Sequence, residues 1–220
     1  MENNHTELVF ILDRSGSMAG LESDTIGGYN AMLDKQKQVP GEALVTTVLF
    51  DDQYELLHDR ANIAGIAPIT QKEYYVRGTT ALLDAIGRTL QKIDNAQKNV
   101  LPNRKASKVI IVITTDGMEN ASREYAGEKI KAMVERQQKE CGWEFIFLGA
   151  NIDAIATAKA FGIHQDRAAN FMADSHGVQL NYRAVGEAVA QLRTNALLSA
   201  DWKDGVENDY RMRRAPEKKG

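Results

Sequence analysis

The stretch Leu8-Val9-Phe10-Ile11-Leu12-Asp13-Arg14-Ser15-Gly16-Ser17-Met18 runs five apolar residues into an aspartate and then into two serines spaced one apart. An unbroken apolar run of this length fits a strand covered on both faces, so it predicts a central strand that ends on a carboxylate. Residues 44–50, 109–114 and 145–148 repeat the pattern. Between these runs, apolar residues recur at helical spacing: Ile26, Tyr29 and Leu33; Leu83, Ile86, Leu90 and Ile93; Ile130, Met133 and Val134; Tyr182, Val185, Val189, Leu192 and Ala196.

Strands alternating with helices call for a mostly parallel sheet joined by right-handed crossovers. The expected fold is therefore α/β, a doubly wound, Rossmann-like three-layer sandwich. One strand breaks the rule. Phe50-Asp51-Asp52-Gln53-Tyr54 leaves too little chain for a crossover, so residues 54–59 are expected to fold back as an antiparallel edge strand. Residues 168–172 are expected to add a short strand on the other edge. The expected organisation is one domain over 7–198 and a frayed polar tail over 199–220.

Composition limits the functions available. At 220 residues and 43% hydrophobic the chain can bury a full core, and a net charge of −3 provides no field that would draw it to nucleic acid or to an anionic membrane. Residues 1–6 contain no basic residue and no later run is long enough to span a bilayer, so a cytoplasmic location is expected. Cys141 is the only cysteine, which excludes an internal disulfide and a thiolate zinc site.

In open parallel sheets, ligands gather outside the carboxyl ends of the strands. Asp13 ends the first strand and Asp116 follows the strand at 109–115, so neighbouring strands would bring the two carboxylates together. A third segment, Gly78-Thr79-Thr80, precedes a helix. Paired acids facing nothing would repel each other, and a cation between them removes that cost. Two carboxylates, Ser15, Ser17 and a threonine hydroxyl are hard oxygen donors, suited to Mg²⁺, Mn²⁺ or Ca²⁺.

Asp13-Arg14-Ser15-Gly16-Ser17 resembles the Asp-x-Ser-x-Ser signature of von Willebrand factor type A domains. Gly78-Thr79-Thr80 is similar to that family's Gly-Gly-Thr loop, and Thr115-Asp116-Gly117 to its Thr-Asp-Gly turn. The three motifs occur in the family's order, within a likeness that covers residues 7–196. The resemblance implies a metal-ion-dependent adhesion site in which Ser15, Ser17 and Thr80 bind the cation, while Asp13 and Asp116 bind it directly or through water. An acidic side chain of a partner protein would then take the open position. Thr79 stands where a second glycine is usual and is the alternative threonine ligand. The resemblance further implies a cytoplasmic bacterial protein that works as an adaptor for an AAA+ ATPase or in a stress-response assembly.

The rival reading is a Mg²⁺-dependent phosphohydrolase with Asp13 as nucleophile. That chemistry wants a second aspartate two residues later as acid and base, and this chain has Ser15 there. A serine nucleophile would need a histidine, yet His5, His58, His164 and His176 all lie away from the strand ends. No glycine-rich phosphate loop follows the first strand. Arg14 and Met18 are expected on the solvent-facing rim, Asp84 at the surface or behind the site, and Glu119, Asn120 and Ser122 as caps of the helix that follows them.

Overall fold

The computed structural model describes residues 5–194 and 197–214. Six strands, β1 (His5–Asp13), β2 (Glu42–Phe50), β3 (Tyr54–Asn62), β4 (Lys108–Thr115), β5 (Glu144–Gly149) and β6 (Ala168–Asn170), form one sheet in the order β3-β2-β1-β4-β5-β6. Every neighbouring pair is parallel except β2 with β3. The turn at residues 51–53 is too short for a crossover, so β3 reverses, as the sequence predicts, and runs on to Asn62. Since β1 and β4 leave the central seam in opposite directions of winding, the carboxyl ends of these two strands open a crevice at the switch point.

Both faces of the sheet are buried, which explains why the strands read as continuous apolar runs. Leu8, Phe10 and Leu12 enter one core, and Val9 and Ile11 the other. The first core is closed by α1 (Glu22–Lys37) and α5 (Ser175–Arg193). The second is closed by α2 (Leu82–Asn99), α3 (Gly127–Cys141) and α4 (Ala154–Ala160). Each fully buried Leu, Ile, Val or Phe contributes about 1.5–3 kcal/mol, offset by the chain entropy lost on folding. The first face depends on one close approach. A Cβ on Gly28 of α1 would lie 2.4 Å from the ring of Tyr182 on α5, so a glycine here lets the two helices meet.

Two departures from the sequence reading concern helices. Residues 154–160 form α4, whose seven residues are too few to register a helical period; Asp153 caps it by accepting the amide of Ala156 at 2.9 Å. The frayed tail expected from residue 199 is, through Arg213, a short 3₁₀ turn followed by α6 (Asp204–Arg213). Val206 is buried in the first core, Trp202 donates its indole N–H to the carbonyl of Asp166 at 2.7 Å, and the Lys203 ammonium reaches the carbonyls of Gln165 and Ala168. A few long-reaching contacts anchor a segment that is polar by composition. Ala196 and residues 215–220 lie outside the described residues. Among the described residues no helix is long and apolar enough to cross a membrane.

Candidate metal centre

Asp13 is the last residue of β1, and the parallel pairing of β1 with β4 brings it beside Thr115. Both of its carboxylate oxygens are engaged: Oδ1 accepts the amide of Ser15 at 2.7 Å and Oδ2 accepts the hydroxyl of Thr115 at 2.5 Å. Its backbone carbonyl accepts the buried hydroxyl of Tyr74 at 2.6 Å. The first serine loop is thus folded back onto the strand end by the aspartate that precedes it, and residues 16–18 close into a 3₁₀ turn.

The serines and Asp116 then meet. Ser15 Oγ lies 3.1 Å from Ser17 Oγ, which donates to Asp116 Oδ1 at 2.6 Å. Gly117 marks the centre of the group. A Cβ placed on it would lie 3.1 Å from Ser17 Oγ, 3.2 Å from Thr80 Oγ1 and 4.0 Å from Ser15 Oγ, so three hydroxyls from two loops converge on one small space. Thr80 is buried whereas Thr79 is exposed, which separates the two threonines that the sequence presents side by side. The five candidate residues are brought together: Asp13, Ser15, Thr80 and Asp116 are buried and Ser17 lies open at the mouth.

The electrostatics of the group are unfavourable without a cation. Burial, with the charge of Asp13 adding to it, pushes the Asp116 carboxyl up to about 6, only partly countered by the Ser17 hydrogen bond. Burial also raises Asp13 above the ordinary carboxylate range, against the hydrogen bonds from Ser15 and Thr115. Asp116 Oδ2 is buried with no hydrogen-bond partner among the described residues. A carboxylate oxygen so placed wants a donor or a cation. The donors around it are oxygen only, which suits a hard dication. Among the described residues no group of three or more His, Cys, Asp or Glu could hold a metal ion; the donors that converge here are three hydroxyls and two carboxylates.

The threonine loop is fixed by residues that sequence patterning cannot assign to it. Asn120 Oδ1 accepts the amide of Thr80 at 2.9 Å, and the carbonyl of Thr80 accepts the amides of Asn120 and Ala121. Glu119 Oε2 accepts the amide of Leu83 and Ser122 Oγ accepts that of Asp84, so these residues cap α2, which precedes them, and not the helix that follows. Asp84 is nearly buried and returns the contact, accepting the amides of Arg123, Glu124 and Tyr125. Two further expectations are corrected. Arg14 and Met18, placed on the rim by sequence, are both buried. Met18 packs into the first core, and Arg14 turns inward to meet acids from the β2–β3 hairpin.

Beyond the donors the rim is apolar on the β4–β5 side. A cavity of about 440 Å³ is lined by Leu82, Gly117, Met118, Ile152, Ala156 and Phe161 among others, and Met118 is 74% exposed at its edge. Gly117 therefore faces both the hydroxyls and this cavity.

No protein-family model matches the chain, and no curated protein sequence matches it. Solved structures do. Proximal thread matrix protein 1 from the mussel byssus, with a zinc-occupied MIDAS motif, is 17% identical with a TM-score of 0.56, the likeness covering 84% of this chain and 46% of that one. The ArnB paralog VWA2 from Sulfolobus acidocaldarius is 18% identical at a TM-score of 0.52, covering 84% and 45%. The manganese-loaded TRAP protein of Plasmodium vivax is 16% identical at 0.54, covering 81% and 72%. The chain spans about half the length of the first two. At these identities the likeness establishes the fold, which is that of von Willebrand factor type A domains.

Proposed function

We propose that this chain is a divalent-metal-dependent protein-binding module. Ser15, Ser17 and Thr80 would hold Mg²⁺, Mn²⁺ or Ca²⁺ through their hydroxyls, with Asp13 and Asp116 supplying the negative charge. When bound, the cation supplies a positive centre that accepts a carboxylate from an acidic side chain of another protein. Thr80 is preferred to Thr79 because its hydroxyl borders the same space as the serines. One observation carries the reading: the buried, unpartnered Oδ2 of Asp116 lies in a group of converging oxygen donors. The zinc-occupied motif in the mussel protein and the manganese in the Plasmodium protein support it by analogy of fold. The apolar cavity beside Gly117 would receive the part of the partner next to its carboxylate. A cytoplasmic adaptor for an AAA+ ATPase or a stress-response assembly is the setting that the family resemblance brings forward.

Asp13 as the nucleophile of a phosphohydrolase fits less well. Both of its oxygens already accept hydrogen bonds, and Ser15, the residue where such an enzyme wants an acid, turns its hydroxyl toward Ser17. We therefore propose a binding site without catalysis. The test is thermal melting in chelator and in Mg²⁺ or Mn²⁺. The wild-type midpoint should rise with metal, and Ser15→Ala and Asp116→Ala should stay folded and lose the rise. On the same preparation, p-nitrophenyl phosphate turnover should not exceed that of Asp13→Asn. Metal-independent melting, or turnover that disappears in Asp13→Asn, would overturn the reading.

A further inference from the structure

Arg14 lies inside the serine motif, and its side chain is completely buried, as is that of Asp51. An ionised guanidinium out of water is strongly destabilising unless opposite charge and hydrogen bonds compensate it. Arg14 Nε donates to Asp51 Oδ2 at 3.1 Å and Nη2 to Glu55 Oε2 at 2.6 Å, while the guanidinium carbon stands 5.3 Å from the centre of the Tyr75 ring. Arg77 joins from the other side. Its Nε donates to the same Asp51 Oδ2 at 2.5 Å, and its guanidinium carbon is 5.6 Å from the centre of that ring. Two cations and two anions make the cluster neutral as a whole.

The backbone around these side chains ties the two hydroxyl loops together. The carbonyl of Arg14 accepts the amide of Arg77 at 2.9 Å, and the carbonyl of Asp51 accepts the amide of Ala81 at 2.8 Å. Between those points the amide of Gly16 donates to the carbonyl of Gly78 at 3.1 Å. Gly78 has φ +66°, a conformation that L side chains rarely adopt, and a Cβ there would lie 2.2 Å from Asp52 Oδ1, so glycine favours this path of the loop. Arg14 thus stands between Asp13 and Ser15, Arg77 precedes Gly78 and is held by the Arg14 carbonyl, and the carbonyl of Asp51 holds Ala81, the residue after Thr80.

We propose that Arg14, Asp51 and Arg77 are positioning residues for the metal centre: together with Glu55 they form a neutral ion cluster that holds the Thr80 loop against the serine loop, so that the hydroxyls of both stand ready before any cation arrives. The inference rests on the metal-binding reading above. It also assigns a task to a buried arginine that a core of this size could otherwise fill with an apolar side chain.

The experiment measures Mn²⁺ binding by titration calorimetry at a temperature where every variant is folded, with melting in chelator and amide exchange recorded in parallel. Arg77→Met, which alters the more accessible cation, should weaken Mn²⁺ binding by about 10–100-fold, as loss of residues that orient ligands does at other metal sites. It should also speed exchange at the amides of Gly16 and Ala81 without metal. Arg77→Lys should recover part of the affinity. Lys92→Met, which breaks the exposed pair with Asp59, should leave Mn²⁺ affinity unchanged and serves as the control. Arg14→Met should act as Arg77→Met does, and if it fails to fold, Arg77→Met decides alone. Wild-type affinity for Mn²⁺ in Arg77→Met, with only the melting temperature lowered, would overturn the positioning role and leave the metal reading intact. No Mn²⁺ binding by wild type would overturn the metal reading and the positioning role with it.

Discussion

Asp116→Asn should stabilise the metal-free protein and destabilise it relative to wild type once metal is present. Asp116 titrates near 6 in the folded chain against an ordinary 3.8. Because the folded value is raised, the carboxylate costs nothing below about pH 4, where folded and unfolded forms are both protonated. The cost grows as pH rises through 4 to 6 and levels off above. At 1.36 kcal/mol for each pH unit of difference, the full cost at pH 7.5 is about 3 kcal/mol. Asparagine removes the charge and keeps an oxygen for the Ser17 hydroxyl, but it places an N–H₂ where Oδ2 now lies unpartnered, which costs about 1–2 kcal/mol. In chelator the variant should therefore be more stable than wild type by about 1–2 kcal/mol at pH 7.5, and at pH 4, where the carboxylate no longer costs anything and the unpartnered amide still does, it should be less stable by about 1 kcal/mol. In metal at a hundredfold excess over its dissociation constant, wild type should gain about 2.7 kcal/mol and the variant almost nothing, reversing the order. Urea unfolding followed by tryptophan fluorescence measures this, since Trp143 is buried and Trp202 is anchored by its indole. A variant less stable than wild type in chelator, by an amount that does not change between pH 4 and 7.5, would refute the claim that an uncompensated carboxylate strains this site.

Gly117→Ala should abolish the Mg²⁺- or Mn²⁺-induced rise in melting temperature, because its methyl group would come within 3.1–3.2 Å of Ser17 Oγ and Thr80 Oγ1; melting scans with and without metal check it. Tyr74→Phe removes the buried hydroxyl that holds the carbonyl of Asp13 and should cost about 1–2 kcal/mol in urea unfolding, close to the value of one buried hydrogen bond. Arg60→Ala leaves the fully buried Glu7 carboxylate with only Gln97 as a side-chain donor and should cost about 3 kcal/mol at pH 7.5. That loss should shrink as the pH is lowered, since Glu7, already raised by burial, protonates more readily without its partner.

The sequence by itself determined the sheet and the residues that stand at its end. Strands buried on both faces must be apolar throughout, and the oxygen-bearing side chains that converge at their ends are written where each strand stops, so both could be read along the chain. The tertiary structure decided what depends on partners distant in sequence. Arg14 reads as a surface residue until Asp51, 37 positions away, is placed against it. Met18 reads as rim until the 3₁₀ turn carries it into the core. Glu119 and Ser122 read as caps for the helix after them, whereas folding brings them to the start of α2, whose free amides need acceptors. Even α6, polar over most of its length, is fastened by its own Val206 to the first core and by Trp202 and Lys203, just before it, to carbonyls of residues 165–168 at the start of β6. Burial of a charged or polar side chain depends on whether compensating groups arrive with it, and those groups come from segments whose closeness no local pattern records.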